Sequence, residues 1–274
     1  MKYIVVTNDN FFSFVALKRF LQLHKNDIKL VVFSSKLIGQ RGSLASIYWS
    51  VLNTGFRHTF FKLSVYGVFR AMSIIRKVLP FIRNNWSSEV WVKENGIEFS
   101  TTEELNSDGL YEIIKAKDPD LIISVSMNQI MKERLLNLAP MGSINVHCAP
   151  LPKYAGMSPY VWALANNEAQ SAATIHFMTE GLDEGDIILQ EDVFVESNDT
   201  AFNLFYRCCL AASDQLVHVI SQFEKDTVQS FEQDKAMRSY YSWPDRECTK
   251  RLRANGFKFV KAADYFKALC QPKH

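Results

Sequence analysis

The sequence predicts an α/β protein with a doubly wound, mostly parallel sheet, and three observations carry that prediction. Tyr3 to Thr7 is a short β-branched run closed by a polar turn. Phe11 to His24 then places Phe12, Val15, Leu17, Phe20 and Leu21 at helical spacing, and Ile28 to Phe33 is a second apolar run. The same order of strand, helix and strand returns after residue 93, and such units pack as parallel sheets with right-handed crossovers.

Taken in order, the opening apolar run is cut by Asn8 and Asp9 too soon for a signal-peptide core or a membrane span, so it is expected to be a buried first strand. After residue 93, Glu103 to Lys117 is expected as a helix, Asp120 to Val125 as a strand, Gln129 to Leu138 as a helix and Gly142 to His147 as a strand. Ala172 to Met178 and Ile187 to Val195 resemble two further strands, and Ala201 to Phe223 has helical period. The tail from about Val228 has few long apolar segments. The expected organisation is therefore a main unit over 1–200, with an insertion at about 34–88, and a C-terminal helix with a small appendage over 201–274.

The insertion holds Lys36, Arg41, Arg57, Lys62, Arg70, Arg76, Lys77 and Arg83 and no acidic residue. Charges interrupt it too often for a spanning helix, and Phe56, Phe60, Phe61, Val65, Tyr66 and Phe69 are expected to form one face of an amphipathic one. A flap on the sheet, a homodimer contact and a peripheral membrane contact are the roles such a segment raises. Over the whole chain of 274 residues Lys+Arg exceeds Asp+Glu by only two, 31 against 29, which argues against a dedicated nucleic-acid binder. The five cysteines lack the paired two-residue spacing of a zinc site and fit a reducing, cytoplasmic compartment.

Chemistry is concentrated in two places. Asn145 and His147 stand two apart in the strand Ser143-Ile144-Asn145-Val146-His147, so the pleat aims both at one face. The strand then enters a loop rich in breakers, Cys148 to Pro159, and ligands of open α/β sheets collect at such strand ends. The second place is Glu180-Gly181-Leu182-Asp183-Glu184-Gly185-Asp186, several carboxylates and two glycines directly after a strand. It lacks the ligand alternation and final Glu of a calcium loop, so no metal is expected.

Together the two clusters resemble the 10-formyltetrahydrofolate-dependent formyltransferase family. The resemblance rests on Asn145-Val146-His147, on Leu151-Pro152-Lys153-Tyr154 with Gly156 and Pro159, on Trp162-Ala163, and on Gly181-Leu182-Asp183 with Gly185-Asp186-Ile187-Ile188. It covers about residues 93 to 200 and implies a Rossmann-like formyltransferase fold. It departs from the family's usual pattern at Ala149-Pro150 and at Ser171-Ala172. The resemblance implies that Asn145 and His147 hydrogen-bond a formyl oxygen as it becomes an oxyanion, while Asp183 orients His147. It further implies a folate pocket formed by Met127, Asn128, Gln129 and Ile130 with Leu151, Glu180, Gly181 and Leu182, in which Met127 and Ile130 supply an apolar wall. The co-substrate it implies is 10-formyltetrahydrofolate.

For the acceptor, the resemblance is strongest to sugar-nucleotide N-formyltransferases, through the aromatic stretch Tyr240-Tyr241-Ser242-Trp243-Pro244. Asn10, Lys153, Tyr154, Gly156, Tyr240, Tyr241 and Trp243 are the candidate substrate-binding residues. The expected partner is a nucleotide-linked aminosugar. A hydroxyornithine-type formyltransferase, a methionyl-tRNA formyltransferase-like enzyme and a folate-binding protein without transferase activity are the alternatives.

Overall fold

The computed structural model describes residues 1–34, 43–79 and 84–270. All five residues of β1 (Tyr3–Thr7) are buried, as an unbroken β-branched run between two neighbours must be. The chain continues through α1 (Phe11–Leu23), β2 (Ile28–Ser34), α2 (Ser43–Thr54), α3 (Phe56–Val78), α4 (Ser88–Glu94), β3 (Phe99–Thr102), α5 (Asp108–Lys115) and β4 (Leu121–Val125). Then follow α6 (Glu133–Leu136), β5 (Ser143–His147), β6 (Ala155–Gly156), α7 (Pro159–Ala165), β7 (Gln170–Phe177), β8 (Ile187–Phe194), α8 (Ala201–Glu224), β9 (Tyr240–Tyr241), α9 (Arg246–Ala254) and α10 (Ala262–Leu269). Among the described residues one seven-stranded sheet has the order β3-β2-β1-β4-β5-β7-β8. The first five of these strands are parallel, and β7 and β8 are antiparallel additions at one edge.

Two helices are shorter than the periodicity predicts, for local reasons. Helix over 103–117 is confined to α5, because Glu104 N donates to Thr102 Oγ1 and the chain turns before Ser107 caps Leu110 N. Helix over 129–138 is confined to α6, because Asn106 takes the backbone that would form its first turn. Asn106 Nδ2 donates to Ile130 O, and Asn106 Oδ1 accepts from Lys132 N, both at 2.8 Å.

The insertion forms a helical hairpin, α2 and α3, joined at Gly55, whose φ of +86° suits glycine. The single apolar face expected on α3 is corrected to two faces. Phe61, Val65 and Phe69 are buried, whereas Phe56, Phe60 and Tyr66 are 69%, 56% and 55% exposed. Helical geometry explains the split: positions 61, 65 and 69 recur every four residues on one side, and 56 and 60 point away. Phe69 stacks on Phe11 of α1 at 3.7 Å with the rings nearly parallel. Arg76 is tied to Glu94, while Lys36, Arg41 and Arg83 lie outside the described residues.

The residues after Val228 do not stand apart from the sheet. Cys248, Leu252, Phe257 and Phe259 lie in the same buried core as β1, α1 and α8. Among the described residues no helix is long and apolar enough to cross a membrane. The two faces of α3 have opposite energetic consequences. Phe69→Ala is expected to cost about 3–5 kcal/mol, the range for truncating a buried aromatic. Phe60→Ala is expected to stay within about 0.5 kcal/mol. Urea unfolding of both variants checks the assignment, and equal losses would contradict it.

Candidate active site

The carboxyl ends of β1, β4 and β5 converge beneath α3 on a cleft of about 650 Å³, within the range of small-molecule sites. The sheet ends are tied together there. Thr7 Oγ1 donates to Val125 O at 2.9 Å and Asn8 Nδ2 to Ser126 O at 2.7 Å. Asp9 accepts from Ser87 Oγ and Glu89 N, which fixes α4 beside the cleft. Burial raises the Asp9 pKa against those hydrogen bonds.

Asn145 and His147 both line the cleft, as their two-residue spacing in β5 requires, and Asp183 reaches it from the loop after β7. His147 Nδ1 is 3.8 Å from Asp183 Oδ2, ion-pair distance but longer than a hydrogen bond. The hydrogen bond that Asp183 Oδ2 accepts comes instead from Gly156 N at 2.9 Å. His147 Nε2 lies 3.1 Å from Tyr154 O. A carbonyl only accepts, so Nε2 donates its proton to that hydrogen bond, and Nδ1 is the ring nitrogen turned to Asp183.

His176, which sequence reasoning missed, completes the arrangement. The antiparallel register sets it opposite Asn145, and its Nε2 is 3.2 Å from Asn145 Nδ2 and 3.8 Å from Asp183 Oδ1. Its Nδ1 is 2.7 Å from Phe177 O, so Nδ1 holds the proton and Nε2 accepts from the Asn145 amide. Burial pushes the His176 pKa down to about 4, against the pull of Asp183 and with the help of His147. A neutral His176 therefore fixes which end of the Asn145 amide donates and leaves its second N–H available. The signal existed in sequence, a histidine in an apolar strand, but only the strand pairing gives it a partner.

Loops are held in conformations that put backbone groups at the site. Ser126, Tyr154, Ser158 and Asp183 all have φ between 52° and 61°, the sparsely populated left-handed region. Thr174 Oγ1 donates to Ala149 O, and Gln190 Nε2 donates to Leu151 O, so β7 and β8 hold the loop after His147. Gln233 Nε2 donates to Asp183 O and Gly185 O, and Arg238 donates to Leu182 O. These two C-terminal residues fix the acidic loop, and nothing in their sequence context marks them. Gly156 has φ of +102°, and a Cβ there would come within 2.2 Å of Tyr241 O.

Of the expected folate residues, Met127, Asn128 and Leu182 line the cleft. Gln129 lies beside it, spanning Ser34 Oγ and Leu105 N. Ile130 is 61% exposed and is no apolar wall, since the Asn106 hydrogen bonds hold its backbone outside any helix. Leu151 is buried with Ala155 and Ile187 away from the cleft, Glu180 is exposed, and Gly181 does not line it. Asn128 Nδ2 and Asn8 Oδ1 are buried and without a hydrogen-bond partner among the described residues. An acceptor and a donor that no described protein group satisfies therefore stand in residues of this wall.

Of the expected substrate residues, Asn10, Gly156 and Trp243 line the cleft, although the Asn10 side chain is engaged as the cap of α1. Lys153 is exposed outside it. Tyr154 and Tyr241 stack on each other at 5.0 Å, and Tyr241 packs on Trp162. They pin β9 to β6 rather than face the cleft, and Tyr240 is 54% exposed beside them. Lys62 of α3 sits 3.4 Å over the Trp243 ring, and burial pushes its pKa down to about 7.

A preorganised amide donor, an imidazole and a carboxylate at the mouth of a parallel sheet define a site for group transfer at a carbonyl carbon. Residues 81–220 match the family described as Formyl transferase, and the chain belongs to that family. It is 35% identical over 159 residues to a methionyl-tRNA formyltransferase of Macrococcus caseolyticus, covering 58% of this chain and 51% of that protein. It is 39% identical over 125 residues to a GDP-perosamine N-formyltransferase of Brucella melitensis, covering 46% of this chain and 48% of that protein. The chain thus spans about half the length of these relatives. In fold it is similar to a sugar 3N-formyl transferase crystallised with dTDP and 5-N-formyl-THF, with a TM-score of 0.57 and 20% identity over 88% of this chain and 70% of that one. Glycinamide ribonucleotide transformylase 1 of Symbiobacterium toebii shares the fold at a TM-score of 0.56 and 18% identity, covering 85% and 95%.

The buried neutral His176 has a consequence for stability. Its pKa is about 4 in the folded chain against an ordinary 6.5, so the unfolded chain binds the extra proton between those values. The stability associated with the neutral ring is complete above pH 6.5 and is lost as pH falls toward 4. Tm measured across that window should fall less steeply for His176→Gln than for the unsubstituted chain. Parallel curves would refute the neutral assignment.

Proposed function

We propose that this protein transfers a formyl group from 10-formyltetrahydrofolate to the amino group of a nucleotide-linked aminosugar. The observation that carries the reading is the convergence of Asn145, His147 and Asp183 on one cleft wall, with Asn145 oriented by neutral His176. An amine attacks only when unprotonated, attack builds negative charge on the formyl oxygen, and the departing folate nitrogen needs a proton. The free Asn145 N–H meets the new charge. His147 can take a proton at Nδ1, where Asp183 at 3.8 Å stabilises the resulting imidazolium. The amides of Asn8 and Asn128 in the cleft wall are suited to the polar edge of the pterin, and Met127 to its ring.

Support for a sugar-nucleotide acceptor comes from the fold and from the far wall. A formyltransferase from Helicobacter canadensis, solved with folinic acid and dTDP-3-aminofucose, covers 88% of this chain at a TM-score of 0.56 and 19% identity. That likeness extends well beyond residues 81–220. Opposite the catalytic wall stand Trp243, Lys62 and Arg70, an aromatic plane with cations that suits a base and a diphosphate.

Incubation with 10-formyltetrahydrofolate and a panel of aminosugar nucleotides, followed by mass spectrometry, should give a formamido product with at least one of them. Asn145→Ala and His147→Ala are each expected to lower the rate about 10²–10³-fold, the cost of an oxyanion-hole donor. Product from methionyl-tRNA or hydroxyornithine alone would displace the sugar reading. Lys62 gives a second check. With a pKa of about 7 it is charged below that pH and neutral above it. KM for the anionic acceptor should therefore rise as pH passes upward through 7, and Lys62→Met should show a high, flat KM. A flat profile in the unsubstituted enzyme would remove Lys62 from the acceptor site.

A further inference from the structure

α3 is apolar on both sides. Opposite the buried Phe61, Val65 and Phe69, the residues Phe56, Phe60, Leu63 and Val78 point outward with exposures from 44% to 74%. Their spacing keeps them on one line of the helix. Tyr48 and Leu52, one turn apart on α2, are 67% and 47% exposed. Single exposed apolar side chains need no explanation, but several large ones shared by two joined helices do. Arg57 and Lys77 are exposed beside them, and no Asp or Glu occurs between residues 34 and 88.

A second cavity, of about 640 Å³, opens at the start of this outward face and shares only Phe61 with the catalytic cleft. Its walls combine the rings of Phe56, Phe60 and Phe257 with the cations Arg57, Arg253 and Lys258, and no lining residue is acidic. Among the described residues no carboxylate pairs with those three cations. Rings and unpaired cations in one slot fit an amphiphile with an anionic head and an apolar chain.

We propose that the α2–α3 hairpin docks on an anionic phospholipid bilayer, with a lipid phosphate held by Arg57, Arg253 and Lys258. The outward residues enter the interface as the apolar face of a surface-lying helix, and the flanking cations meet the headgroups. A second copy of the chain fits this face less well. Antiparallel two-fold pairing of α3 would set the cations Arg57 and Lys77 against those of the other copy with no acid from residues 34–88 between them. Tyr66, Arg70, Ile74 and Lys77 of the same helix also line the catalytic cleft, so docking brings the cleft mouth to the membrane surface. The docking stands independently of which amine the cleft accepts.

Flotation of the full chain with phosphatidylcholine vesicles, with and without phosphatidylglycerol, tests this at low and at roughly tenfold higher salt. The protein should float with the anionic vesicles only, and the bound fraction should fall with salt. Each cation at such a surface contributes about fivefold to partitioning, so Arg57→Glu combined with Arg253→Glu should reduce binding more than about tenfold. Phe60→Ser should reduce it as well. None of these three residues lines the catalytic cleft, so turnover of a soluble acceptor should be unchanged. Flotation with neither vesicle, or equally with both, overturns the proposal. A dimer in solution that Phe60→Ser abolishes, without flotation, would assign the outward face to a second copy. An environment-sensitive label on Phe60→Cys in a Cys270→Ser background gives an independent readout, since the other four cysteines are buried. A blue shift on adding anionic vesicles is expected, and no shift contradicts docking.

Discussion

The antiparallel pairing of β5 with β7 places Asn145 directly opposite His176, and the site's hydrogen-bond directions follow from that register. In a purely parallel sheet the strand after β5 would leave by a crossover, and its polar groups would face the cleft from its own end. Here the chain passes through β6 and α7 and then returns antiparallel along β5. The return brings an imidazole against the Asn145 amide and delivers the acidic loop, with Asp183, to the same strand tip. Because His176 gives its Nδ1 proton to Phe177 O, its Nε2 can only accept, so the amide of Asn145 must donate. One buried neutral ring thus sets the polarity of the Asn145 amide in the cleft wall.

That arrangement depends on loops whose backbones are held by side chains from distant parts of the chain. Left-handed conformations at Tyr154 and Asp183 direct a carbonyl at His147 and a carboxylate at Gly156 N. Neither conformation is favoured locally. The β7 and β8 side chains Thr174 and Gln190 hold the first loop, and Gln233 and Arg238 hold the second. The C-terminal segment is accordingly part of the site's support. Its two tyrosines act through packing: Tyr241 lies on Tyr154 and Trp162, and its carbonyl approaches Gly156 so closely that only glycine fits.

What was legible in the sequence follows the range of the interactions involved. The strands and the long helices could be read because burial and period are local properties, and Asn145 with His147 could be read because a strand alternates. The ends of α5 and α6 could not, because Thr102 and Asn106 compete for the backbone through hydrogen bonds that periodicity does not register. The packing of Tyr154 and Tyr241 is not legible for a related reason: aromatic residues near a motif carry no mark separating a ligand platform from a packing wedge. His176, Gln233 and Lys62 required contacts across 31, 50 and 181 positions respectively, found only once the chain is folded.

The outward face of α3 shows the same limit from the other direction. A run with apolar residues at 56, 60, 61, 65, 66 and 69 reads as one amphipathic face until its angular positions are assigned, and then it divides into two. The inner set is consumed by Phe11, Phe259 and the core. The outer set stays exposed among the described residues, and an apolar surface left in water raises the free energy of the folded state in proportion to its area. A basic surround free of acid opposes self-association and favours an anionic surface. The inner face of α3 closes the cleft through Lys62 and Phe69, and Arg70, Ile74 and Lys77 line it as well, so the proposed docking face and the cleft meet along one edge of the helix.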